Sequence, residues 1–226
     1  MQGLIETSQI QSICDQVKTL GGHVSLKATE SGGEIPYELN INWLDAMALP
    51  NDPVNEISAK QIDRFFLTQA IMLSFKGMPA IYYHSLLGSR GWQAGPETHG
   101  SPRSINRKKL DATLLEQELL DNDSLRFRIF SRYAQLLRVR QQQPAFSPSA
   151  SQEILNCPAG GFALMRHGQA GAKMLCLYNF KPQRLEFSML DQFSSDGDLR
   201  DLLNGTTVSN GSIGIQGYGM AWLASH

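Results

Sequence analysis

GMPAIYYHSLLGSRGWQAGPETHGSPRSINRKK, Gly77 to Lys109, decides the fold. It opens as an apolar run, Met78–Tyr83, entered through Gly77 and Pro79. A polar loop with five glycines from Gly77 to Gly100 follows, with Pro96 and Pro102. It closes on Arg103, Asn106, Arg107, Lys108 and Lys109. A long loop inside a compact domain is more often functional than decorative. A buried strand, a long charged loop and then a helix is how a β/α barrel builds its active face. A flexible surface loop with a solvated basic end fits the same residues, and the residues alone leave both readings open.

The pattern before this stretch supports the barrel reading. Ile57–Lys76 carries Ile62, Phe65, Phe66, Gln69, Ala70 and Leu73 at helical spacing, capped by Asn55 or Ser58 and stopped by Gly77 and Pro79. A long helix followed at once by an apolar strand is the αβ half of a βαβ unit. Further upstream, Glu6–Leu20 reads as a helix capped by Thr7 or Ser8. His23–Ala28 and Tyr37–Trp43 read as a β-hairpin with Glu38, Asn40 and Asn42 on a solvated face. Downstream, Asp111–Leu120 predicts a short helix. Asn122–Arg140 predicts a longer one, with Leu125, Ile129, Tyr133, Leu136 and Leu137 as its inner stripe and Asp123 near its positive end.

From Gln152 the texture changes. Gln152–Asn156, Gly161–Arg166, Lys173–Phe180, Arg184–Ser188, Leu199–Leu203 and Gly219–Ala224 are short segments separated by turns, the pattern of a small antiparallel sandwich. The expected architecture is therefore an α/β chain: a partial (β/α) barrel segment over residues 1–146, then a small antiparallel β domain over 147–226.

Composition narrows the function. The 226 residues hold 20 basic and 21 acidic side chains, a net charge of −1. That disfavours a nucleic-acid binder, which shows a basic face. No apolar run approaches a membrane span, and MQGLIETSQI lacks the features of a secretory signal, so a cytoplasmic protein is expected. The three cysteines, Cys14, Cys157 and Cys176, have no metal-type spacing. No nucleophile elbow, phosphate loop or zinc motif occurs. The polar groups available for binding are Tyr37, Glu38 and Asn40 on the hairpin, Tyr83 and His84 at the strand end, and Arg103, Asn106 and Arg107 at the loop end. Arginine suits a planar two-point contact with phosphate or carboxylate.

GMPAIYYHSLLGS followed by RSINRKKLD resembles the sucrose phosphorylase and glucosylglycerate phosphorylase branch of the α-amylase-type glycoside hydrolase family. YELNINWLDAM and QIDRFFLTQAIMLSFKG match the preceding part of that branch. The resemblance implies glucosyl transfer from an α-glucoside to inorganic phosphate, giving α-glucose 1-phosphate with retention and with no metal or other cofactor. It implies that Arg103, in the Arg-x-Ile-Asn-Arg motif, holds the donor glucose, and that Tyr37 and Glu38 lie on a loop that rearranges between donor and phosphate. The sucrose-specific members usually carry glutamine where this chain has Glu38. That difference and the longer loop from Ser89 to Ser101 point toward the glucosylglycerate subgroup. The family's nucleophile, acid/base and third carboxylate map to strands preceding residue 1, so no catalytic residue is assigned. The chain is expected to correspond to a C-terminal part, inactive in isolation and prone to self-association. A non-catalytic carbohydrate-binding or assembly module, or part of an amylase-type hydrolase or transglucosidase, is the alternative.

Overall fold

A computed structural model describes residues 4–49, 52–53, 56–188, 198–208 and 211–225. The chain divides into two compact units, Met1–Glu56 with Tyr82–Phe130, and Ile57–Ile81 with Ser131–His226. These units cut across the change of texture at 146/147, because the long central helices carry the apolar faces that the sheet needs.

In the first unit, α1 (Thr7–Thr19) buries Cys14 and Val17. Its cap is Glu6, one residue earlier than expected: the Glu6 N–H donates to Gln9 Oε1 at 2.9 Å, the reciprocal half of a capping box. Gly21 (φ 79°) ends the helix. Strands β1 (His23–Ala28) and β2 (Glu34–Asn40) form an antiparallel hairpin pairing His23 with Asn40 and Ala28 with Glu34, with an irregularity between Ser25 and Leu26. The expected strand to Trp43 stops at Asn40. Asn42 instead caps a short helix, α2 (Trp43–Ala46), by accepting from Leu44 N–H at 2.9 Å. A short amide side chain offers the backbone a local alternative to the ladder, and β1 provides no partner beyond His23.

The central loop is more ordered than its composition predicts. It contains α4 (Tyr83–Leu86), α5 (Gly95–His99) and a 3-10 turn, Pro102–Asn106. The strand expected at Met78–Tyr83 does not form. Every ladder among the described residues is antiparallel and none includes these residues; Tyr82 caps α4 instead. A strand exists only through its neighbours, however apolar its sequence. Helix α6 (Ala112–Leu120) starts at Asp111, which accepts from Leu114 N–H at 2.9 Å. Helix α7 (Leu125–Gln142) starts three residues later than Asn122, with Ser124 Oγ accepting from Phe127 N–H.

The second unit contains α3 (Ala59–Ser74), capped by Ser58 Oγ accepting from Gln61 N–H at 3.0 Å. The other expected cap, Asn55, lies outside the described residues. Phe65 and Phe66 meet Tyr133 of α7 edge-on, at 6.0 and 5.3 Å between centroids. After it come β3 (Ser151–Leu155), β4 (Gly161–His167), β5 (Lys173–Asn179), β6 (Leu185–Phe187), β7 (Leu199–Asp201), β8 (Thr207–Val208), β9 (Ile213–Ile215) and β10 (Met220–Ser225). Six of them form an antiparallel sheet ordered β3-β4-β5-β10-β7-β8, and β6 pairs with β9. One sheet face packs Ala163, Met165, Leu175, Leu177, Ala221 and Leu223 against Phe187 and Ile215. On the other face Tyr178 reaches α3, its hydroxyl donating to the Ala70 carbonyl at 3.2 Å and accepting from Trp222 Nε1 at 3.0 Å. With both faces covered, β4 and β5 are buried almost continuously. The antiparallel β domain is thus present.

Candidate functional site

The polar cluster lies in the first unit, where β2 meets the 3-10 turn. Pro102 opens that turn, where its missing N–H is not needed. Gly95 lets α5 approach closely, since a Cβ there would sit 2.7 Å from the Ser104 carbonyl. The turn is tied down at its C-terminal end. Trp92 N–H donates to the Ile105 carbonyl at 2.7 Å, Asn106 Nδ2 donates to the Ile41 carbonyl at 3.2 Å, and the Tyr82 hydroxyl donates to the Asn106 carbonyl. Ile105 is buried beneath it.

This support presents Arg103 to Glu38. Arg103 Nε lies 3.0 and 2.8 Å from the two Glu38 carboxylate oxygens. The hydrogen bond and the charge of Glu38, then the nearby Tyr37, raise the guanidinium pKa further. The Arg103 side chain is half exposed, and a solvated ion pair is screened and contributes little to folding. Its value is positional: it holds a cation and an acid side by side on an open surface. Tyr37 is 61 % exposed, with Lys27 Nζ 5.7 Å from its ring centre.

The structure brings Tyr37, Glu38 and Arg103 together but turns Asn40 inward. Asn40 is only 2 % exposed and donates to Ser25 Oγ at 3.0 Å, bracing the two strands. Asn42 is also buried. The hairpin face expected to be solvated is therefore half interior, because hydrogen bonds across the hairpin and to α2 satisfy its amides.

His84 is likewise no strand-end surface group. It is buried in α4, with Nδ1 2.9 Å from Ser89 Oγ. Burial, then the Arg126 charge, push its pKa down, against an opposing contribution from the Lys108 main chain. Tyr83 is half exposed and lies against the His84 ring, tilted by 34° with the ring centres 4.0 Å apart. Arg107 is exposed, and its charge opposes the burial that raises the Tyr82 pKa.

Two anchors escaped the sequence reading. Asp45 is buried, accepts from Gly91 N–H at 2.7 Å and pairs with Arg90. Arg126 reaches the Leu87 carbonyl at 2.8 Å, Ser89 Oγ at 3.0 Å and Glu118 at 2.6 Å. Together they shape the loop from Leu87 to Trp92. Neither belongs to a local motif; each partner other than Glu118 is at least 37 residues away in sequence. Among the described residues no group of three or more His, Cys, Asp or Glu side chains could hold a metal, and no helix is long and apolar enough to cross a membrane.

The fold has known counterparts. It is similar to an α-amylase from Anoxybacillus, with a TM-score of 0.55 at 15% identity over 74% of this chain and 32% of that one. At that identity the likeness speaks for the fold alone. No family model matches. Sequence likeness carries further. A glucosylglycerate phosphorylase of Spirochaeta thermophila is 37% identical over all of this chain and 40% of its own length. Another, from Allomeiothermus silvanus, is 40% identical over 68% of this chain and 27% of its own length. The chain thus bears out the expected likeness to the sucrose phosphorylase and glucosylglycerate phosphorylase branch, through its glucosylglycerate phosphorylase relatives. It corresponds to the C-terminal part of these relatives and spans well under half of their length.

Proposed function

We propose that these residues form the C-terminal part of a retaining glucoside phosphorylase that moves a glucosyl group from glucosylglycerate to inorganic phosphate. Residues 1–146 are read as the end of its β/α barrel, and 147–226 as its terminal β domain. The observation that carries the reading is the two-oxygen contact of Glu38 with Arg103. A guanidinium presented that way offers a fork suited to sugar hydroxyls, a carboxylate or phosphate. Tyr37 supplies an exposed ring beside it. Glu38 tunes the charge at the position where the acceptor leaves and phosphate enters, and its acidity disfavours sucrose. The shared name of the curated relatives supports glycerate as the acceptor.

Retention requires one carboxylate to attack the anomeric carbon and a second, about 5–5.5 Å away, to protonate the leaving oxygen. Glu38 is engaged by Arg103, and we assign neither role to a residue of this chain. Both belong to the larger portion of the relatives that these residues do not match. Groups that act as a unit lose nearly all rate when one is missing, so the 226 residues alone turn over nothing. The test compares this chain alone with a chimera in which it replaces the matching C-terminal part of the Spirochaeta protein. Both are given glucosylglycerate and phosphate, and α-glucose 1-phosphate is followed. The chimera should be active and lose activity with Arg103→Ala. Turnover by the isolated chain, or a chimera that prefers sucrose, would refute the reading.

A further inference from the structure

A second cleft belongs to the second compact unit and includes none of the residues discussed above as glucosyl-transfer groups. Its volume is about 310 Å³, at the small end of the range for ligand pockets. Asp63, Phe66 and Arg132 form one wall, from α3 and α7. Asn204, Gln216 and Tyr218 form the other, from turns of the β domain.

The first wall is a matched pair. Arg132 Nη1 lies 2.8 Å from Asp63 Oδ1, and both side chains remain about two-fifths exposed. The guanidinium is held over the Phe66 ring, 4.4 Å from its centre, which fixes the direction of its remaining N–H groups. A carboxylate and a guanidinium side by side present an acceptor next to a donor. That is the complement of two neighbouring hydroxyls, one donating and one accepting. The charges cancel, so the wall favours a neutral polar ligand over an anion or a cation.

The opposite wall is built at a conformational cost. Tyr218 has φ 57°, a region that bulky side chains avoid. The turn is over-determined: Tyr218 N–H donates to the Lys181 carbonyl at 3.0 Å, and Gly219 N–H to the Gln216 carbonyl at 2.9 Å. Gly217 is pressed so close to the Pro182 carbonyl that a Cβ would fall 2.1 Å from its oxygen. A glycine in place of Tyr218 would relieve the strain, yet a tyrosine stands there with its ring lining the cleft and Arg64 5.1 Å from the ring centre. Strained positions held by their surroundings concentrate at ligand clamps. An aromatic ring, two side-chain amides and a charge-balanced acid–arginine pair form the surface on which a sugar ring is held, by its apolar face and its hydroxyl edge.

We propose that this cleft is a second carbohydrate site, distinct from the Arg103 cluster, which takes one pyranose ring through a vicinal diol on Asp63 and Arg132 with Tyr218 against its face. The test is an amide chemical-shift titration of the whole chain with methyl α-glucopyranoside. Shifts are expected at Asn204, Tyr218 and Gly219. Tyr218→Gly keeps the backbone conformation at no steric cost, and Asp63→Ala leaves a good helix former on α3. Each should weaken the cleft titration about tenfold or more. Arg103→Ala should leave it unchanged, which separates this site from the proposed glucosyl-transfer site. The proposal is overturned if the cleft amides do not move in the wild-type chain. It is equally overturned if Tyr218→Gly and Asp63→Ala both titrate like wild type, or if Arg103→Ala abolishes the cleft shifts.

Discussion

Replacing Arg166 with methionine should unlock the interior of the β domain. Arg166 is fully buried on β4, and no carboxylate is among its hydrogen-bond partners. Its guanidinium donates instead to four carbonyls: Ser74 at 2.6 Å, Ser147 at 2.9 Å, Ala150 at 3.2 Å and Ser151 at 3.3 Å. Burial and the nearby Arg140 lower its pKa, but arginine keeps its proton in proteins, so the cation stays. Methionine fills much of the volume and donates nothing. The carbonyls of Ser147 and Ser151 lie nearer solvent and can recruit water. Those of Ser74 and Ala150 belong to buried residues, and an orphaned buried acceptor costs about 1–3 kcal/mol. Relief of the buried charge offsets part of this, which leaves a net loss of roughly 3 kcal/mol. With a urea m-value of about 2 kcal/mol/M, the midpoint should fall by about 1.5 M. Fluorescence of the buried Trp222 in the same unit reports the transition. An Arg166→Met variant within about 0.5 kcal/mol of wild type, the ordinary scatter of surface substitutions, would refute the view that the guanidinium holds the end of α3 to the sheet.

Two further outcomes are expected. In the active chimera, Glu38→Gln should change the ratio of rates on glucosylglycerate and sucrose, whereas Arg103→Ala should lower both; initial rates with each donor decide it, and equal loss from Glu38→Gln refutes the division of roles. Asp201 is buried, and burial outweighs the hydrogen bonds from Leu203 and Trp222 N–H to raise its pKa above the ordinary 3.8. The folded state then binds the proton more tightly than the unfolded chain, so this group costs stability as pH rises from about 3.8 through its folded value. Asp201→Asn keeps an oxygen to accept both N–H groups, so the gap in urea midpoint between variant and wild type should widen in the variant's favour over that window and then level off. A gap independent of pH would contradict it.

Much of this molecule is written locally. The helix Ala59–Ser74 is legible in the spacing of Ile62, Phe65, Phe66 and Leu73, and its start in Ser58. The hairpin, α6, α7 and six strands of the β domain lie within a few residues of where periodicity and turn residues put them, because those signals act over one or two turns of chain. Arg103 could be singled out because a motif surrounds it. What the sequence could not decide depends on groups far along the chain. The run Met78–Tyr83 is as apolar as a barrel strand, yet it forms no ladder here, since pairing is a property of neighbours. β8 and β9, of two and three residues, exist only through their partners β7 and β6. Asn40 and Arg166 have the composition of surface groups, and it is distant partners that bury them: Ser25, and the carbonyl ends of α3 and the loop before β3. A polar side chain enters a protein interior when something there completes its hydrogen bonds, and only the tertiary structure brings those atoms within about 3 Å of one another.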